Sequence, residues 1–167
     1  MPRYAKIPPN PPINPHIQQP RLEVRNFVPK VSEPFFLAMP EPPMTGSAFV
    51  QLNPHEVWQS LVFRGQEVTG PWMHQFVMVW PGFCKDMEAV KSALSKYGQV
   101  PESVWLYQYY SKMARRREEK ISAVADPSWE SPKGHKFIPI INSRGDLDFQ
   151  PCRNGYGINT AWLVKVE

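Results

Sequence analysis

The sequence predicts an α+β fold of about three helices and a few short strands, preceded by a long extended Pro-rich N-terminal arm. Three observations predict it. Twelve of the 20 prolines lie between Pro2 and Pro43. The middle of the chain carries helix-start signals followed by apolar residues at helical spacing. The last 40 residues alternate short β-branched runs with turn-forming residues.

The arm comes first. Proline lacks an N–H and fixes φ, so Ile7-Pro-Pro-Asn-Pro-Pro and Met39-Pro-Glu-Pro-Pro exclude helix and central strand. Residues 1–44 are expected to be extended, largely polyproline II, and residues 45–167 to form a small globular domain. Apolar side chains are threaded along the arm: Leu22, Val24, Phe27, Phe35, Phe36 and Leu37. Flexible spacers are rich in Gly, Ser or charge. Spaced apolar anchors instead suit pockets on a partner, and these six residues are the expected docking contacts.

Asn53-Pro54-His55-Glu56 reads as an N-cap, a proline at the first helical position and a capping-box glutamate. Val57, Trp58, Leu61 and Val62 continue it as one stripe, with Gly65 as the stop. Gln75–Trp80 reads as a buried strand ended by Pro81-Gly82. Asp86 caps a second helix whose apolar face is Met87, Val90, Leu94 and Tyr97, ended by Gly98. Pro101 opens a third helix expected to run to about Val124. Its first half carries Trp105, Tyr107, Tyr109 and Tyr110. Phe137–Ile141 and Thr160–Val166 are expected strands, separated by Asn142-Ser-Arg-Gly-Asp and Asn154-Gly-Tyr-Gly turns. The Phe76–Trp80 run is expected to join them.

The chain has 42% apolar and 13% aromatic residues, enough for a core. Net charge is +4 and is spread evenly: +2 over residues 1–53, +1 over 54–127 and +1 over 128–167. A dedicated nucleic-acid binder concentrates its charge. Arg115, Arg116 and Arg117 form the one basic cluster, a candidate phosphate contact. The following Glu118 and Glu119 equally fit a solvated helix end. No apolar run approaches the roughly 20 residues of a membrane helix, and no secretory signal is expected.

No phosphate loop, serine elbow or His-Glu-x-x-His pattern occurs. His16, His55, His74 and His135 are scattered, and with Cys84 and Cys152 they lack the short paired spacing of a metal site. No catalytic residue, metal or cofactor is expected. The two cysteines are expected to be free thiols. Arg144-Gly145-Asp146 fits a tight turn better than an adhesion motif.

Six tryptophans exceed what one small core hides, so Trp105 and Tyr109 are expected to meet a partner as well. The sequence therefore implies a non-catalytic accessory subunit of a large multiprotein assembly. A mitochondrial respiratory-chain complex or ATP synthase fits best, with the subunit expected to be peripheral to a membrane complex. The alternative is an organellar ribosomal protein contacting RNA, and a further alternative is a small free-standing enzyme.

Overall fold

A computed structural model describes residues 28–52, 56–113 and 120–166. In chain order they form β1 (Lys30–Val31), β2 (Phe35–Ala38), α1 (Gly46–Gln51), a short 3₁₀ helix (Glu56–Ser60), β3 (Val62–Phe63), β4 (Met73–Trp80), α2 (Met87–Leu94) and α3 (Trp105–Lys112). Then follow β5 (Ile121–Ala123), β6 (Trp129–Glu130), β7 (Lys136–Ile141), β8 (Leu147–Pro151) and β9 (Thr160–Lys165). The nine strands make one sheet, so the α+β expectation holds, but the chain is richer in strand than expected.

The sheet grows around two strands buried on both faces. Strand β4 pairs antiparallel with β9, placing Phe76 opposite Lys165 and Val79 opposite Trp162. β5 lies parallel to β9 on its other side, and β7 is antiparallel to β5. β8 closes one margin as a hairpin with β7. Its turn is the Asn142–Asp146 segment, where the Asn142 side-chain oxygen accepts from the Arg144 and Asp146 amides and Gly145 takes a positive φ of 84°.

Alternation divides the core into two layers. Phe76, Met78, Leu163 and Phe149 face α1, α3 and the 3₁₀ helix, where Phe49, Trp105, Leu106 and Trp58 meet them, and Trp129 of β6 joins the same layer. Val77, Val79, Trp162, Val164, Ile138 and Ile140 face α2, through Val90 and Leu94. Trp105, Trp129 and Trp162 are all fully buried. Each contributes on the order of 1.5–3 kcal/mol from apolar burial. The expected surplus of tryptophan is thus largely consumed by the protein's own core.

Helix α2 forms as read. Asp86 accepts from the Ala89 amide at 2.8 Å, and Val90 and Leu94 are its buried residues. The other helices differ from expectation. α1 is additional; Thr45 caps it, and the Gly46 amide donates to the Glu67 carboxylate. Its glycine is required by closeness, since a Cβ there would lie 2.2 Å from the Phe63 ring. The expected helix from Asn53 to Gly65 is instead the 3₁₀ helix and β3, because Val62 and Phe63 pair with β6. Residues 53–55 lie outside the described residues. The expected helix from Pro101 to Val124 is also shorter. α3 ends at Lys112, and Ile121–Ala123 is drawn into the sheet beside β9.

The N-terminal arm is corrected in part. Residues Lys30–Ala38 are not an arm: β1 and β2 form the edge of the sheet along β4. Between them Ser32-Glu33-Pro34 bulges, three residues opposite Val77 and Met78. Pro34 has no N–H to give. The ladder is repaired by Ser32, whose amide donates to the Met78 carbonyl at 2.9 Å while its Oγ accepts from the Met78 amide at 2.8 Å. The bulge shifts alternation by one residue. Val31 sits with Val79 on the α2 side, whereas Phe35 and Leu37 turn toward α3. A boundary at residue 44 therefore cuts through the folded unit.

Candidate functional site

The expected docking residues separate into four groups. Leu22, Val24 and Phe27 lie outside the described residues. Leu37, Trp105 and Tyr109 are buried in the chain's own core, so they are not free to meet a partner. Phe35 is half-buried, with its ring 5.6 Å from Tyr109 and 6.4 Å from Phe76. Phe36 alone of the described set presents its side chain outward, at 57% exposure.

Phe36 has company that the sequence reading missed. It pairs with Gln75 on the α2 side of the sheet, and Ala38 beside it pairs with Met73, which is 60% exposed. Val31 lies on the same face, and Val28 precedes it at 79% exposure. Helix α2 does not extend over this margin. The outward-facing Phe36 carbonyl accepts from Lys112 Nζ at 2.8 Å, and Pro34 and Pro40 bound the strand. These features blunt the edge against further strand pairing while leaving its apolar face open.

A second feature lies at the centre of the sheet, and a proline creates it. Pro139 is buried within β7, between β8 and β5, a position that normally excludes proline. The Val124 amide donates to its carbonyl at 3.3 Å, but Pro139 has no N–H to return. The chain leaves the ladder there. Val124–Ser128 span two residues of β7, Ile138 and Pro139, before β6 resumes pairing at Trp129 with Phe137. This bulge separates the end of β9 from β3 and opens a polar cleft.

The cleft has two connected lobes. The larger, about 570 Å³, is lined by Arg64, Lys91, Gln99, Glu102, Asp126 and Lys165 among others. The smaller, about 270 Å³, is bounded by Arg64, Lys91, Asp126, Glu130 and Lys136. Asp126 is its fixed point. Ser103 Oγ donates to one carboxylate oxygen at 2.7 Å, and Ser128 Oγ donates to the other. Ser103 is itself fully buried and accepts from Trp129 Nε1 at 3.0 Å. Trp105 Nε1 donates to Glu102 at 3.0 Å, and Lys165 Nζ lies 3.6 Å from the same oxygen. Arg64 approaches Glu130 at 3.8 Å. Chemically the cleft offers a carboxylate held on both oxygens and a ring of cations. Its serines are occupied with structural hydrogen bonds.

Linear motifs could not reveal this cleft, because six separate segments supply its lining. The available signals were Pro139 inside a β-branched run and Pro127 just before Trp129.

Arg115, Arg116 and Arg117 lie outside the described residues, as do His16 and His55. His74 packs edge-on to Trp105, ring centroids 5.6 Å apart, and His135 is exposed. Among the described residues no three of His, Cys, Asp and Glu converge as metal ligands. Cys84 and Cys152 are free thiols. Burial pushes both thiols above their ordinary value, and Asp86 adds to the effect at Cys84. Beside them burial also raises Tyr156. None of these is a poised nucleophile.

No helix among the described residues is long and apolar enough to cross a membrane. No protein-family model, no curated protein and no solved structure matches the chain.

Proposed function

We propose that this protein is a non-catalytic accessory subunit of a larger protein assembly. The observation that carries the reading is the apolar margin of the sheet. Phe36, Met73 and Val31 share one face that no element of the described chain covers. The margin adjoins the point where residues 1–27, with their prolines and with Leu22, Val24 and Phe27, enter the fold. Apolar face and apolar-studded leader together suit one continuous protein contact. A peripheral subunit of a mitochondrial respiratory-chain complex or ATP synthase is the specific form that composition favours.

The test uses two variants in cells that normally carry the assembly. One lacks residues 1–27, leaving β1 and the core intact. The other carries F36D and M73D, two exposed sites. Both are expected to fold yet fail to co-purify with partner subunits. Normal incorporation of both variants would refute the reading. Release from a particle with a steep salt dependence would instead favour the RNA-contacting alternative.

A further inference from the structure

The two lobes of the cleft differ in how their charges are satisfied. In the larger lobe Lys165 and Glu102 face each other, largely buried. In the smaller lobe three cations, Arg64, Lys91 and Lys136, meet two carboxylates. The two carboxylates offset two of the three cations and leave one positive charge over. Asp126 keeps its charge while accepting from two hydroxyls, and Glu130 stands opposite Lys136 in the β6–β7 register and 3.8 Å from Arg64, whose side chain is 67% exposed. Such an exposed pair is weak and easily rearranged. Lys91, from the last turn of α2, and Lys136, from the start of β7, have no ion-pair or hydrogen-bond partner among the described residues. With three cations against two carboxylates, this 270 Å³ space keeps a net positive charge that an added anion would offset.

We infer that the cleft binds a small phosphate ester, with its phosphate between Lys91 and Lys136 and within reach of Arg64. A phosphate dianion bridges two ammonium groups and accepts the guanidinium fork. The organic part then extends past Asp126 into the larger lobe. There Glu102, Asp126 and Gln99 offer acceptors for hydroxyl or amine groups. The larger lobe's 570 Å³ lies within the range of small-molecule sites. No described lining residue of either lobe is aromatic, so a polar, sugar-like ester fits and a nucleotide base finds nothing to stack on. This inference is independent of the subunit reading, since the cleft and the apolar margin share no residue.

Amide NMR of the full chain, titrated with glycerol phosphate, tests it. Chloride at matched ionic strength, inorganic phosphate and succinate are the comparison arms. Glycerol phosphate is expected to give saturable shifts confined to Arg64, Lys91, Gln99, Glu102, Asp126, Ser128 and Lys136, and to bind more tightly than inorganic phosphate. K91Q/K136Q is expected to weaken binding by about tenfold or more. K85Q/K96Q, which removes the same charge elsewhere, is expected to leave binding unchanged. E102Q is expected to weaken the ester but not inorganic phosphate. K136Q alone, at an exposed site, gives the same reading if the double variant unfolds. Shifts that match chloride, equal weakening by both lysine pairs, or succinate binding as tightly as the ester would each overturn the assignment.

Discussion

Val124 donates its amide to the Pro139 carbonyl at 3.3 Å, and Pro139 returns nothing. One missing N–H inside a buried sheet is accommodated by letting the neighbouring strand leave the ladder for five residues. Replacing the proline gives the unfolded chain more conformational freedom to lose on folding. Pro139→Ala is expected to lose about 0.5–1 kcal/mol, lowering the thermal midpoint by about 1–4 °C. Calorimetry checks it. An unchanged or higher midpoint would mean that the ladder re-forms across the bulge.

The hydrogen-bond chain Trp129–Ser103–Asp126 crosses from core to cleft. Ser103→Ala removes the acceptor of a fully buried indole N–H and one donor to Asp126. The expected loss is about 1–3 kcal/mol in urea unfolding. Ser128→Ala removes only a half-buried donor, which water can replace, and is expected to cost less. Equal losses from the two variants would argue against a buried network.

Gly98 has a different requirement. A Cβ built there lies 2.3 Å from the Lys165 carbonyl oxygen, beside the bridge between Gln99 and Lys165. The opposing atom is backbone and cannot swing away. Gly98→Ala is expected to destabilise by about 2 kcal/mol or more. A measured loss below about 0.5 kcal/mol, the usual range for surface substitutions, would contradict the close approach.

The cysteines predict a pH response. Burial raises both thiols above their ordinary 9.0, so the unfolded chain ionises first as pH climbs. Stability from keeping these thiols neutral is present below pH 9 and is lost as pH rises through their folded values. Unfolding free energy is expected to fall on that alkaline side. Replacing both cysteines with alanine should flatten part of the slope. At neutral pH a thiol reagent is expected to label Cys84 far more slowly than the same residue in urea.

What the sequence revealed follows the range of the interactions involved. The Asp86 cap, the Val90–Leu94 face and the Phe76–Val79 strand are local patterns, and they folded as read. Ile121–Ala123 reads as helix because its partner, β9, lies some forty residues away and no local signal opposes helix there. The stretch from Lys30 to Ala38 reads as an arm because proline density masks a strand alternation that only β4 makes visible. Trp105 and Tyr109 looked like partner contacts because aromatic residues suit interfaces and cores equally. Burial alone separates the two uses.

The Ser32–Pro34 bulge gives this edge a freedom of length that a strand ordinarily lacks. Three residues there oppose only Val77 and Met78. Removing Glu33 would leave two against two, and plain alternation from Val31 would still set Phe35 opposite Phe76, on the Tyr109 side of the sheet. A second inserted residue has no such match on β4. Glu33 is exposed, so both its identity and its presence are nearly free. Among relatives of this chain, substitutions and single-residue deletions should accumulate at that position while they stay rare in β2.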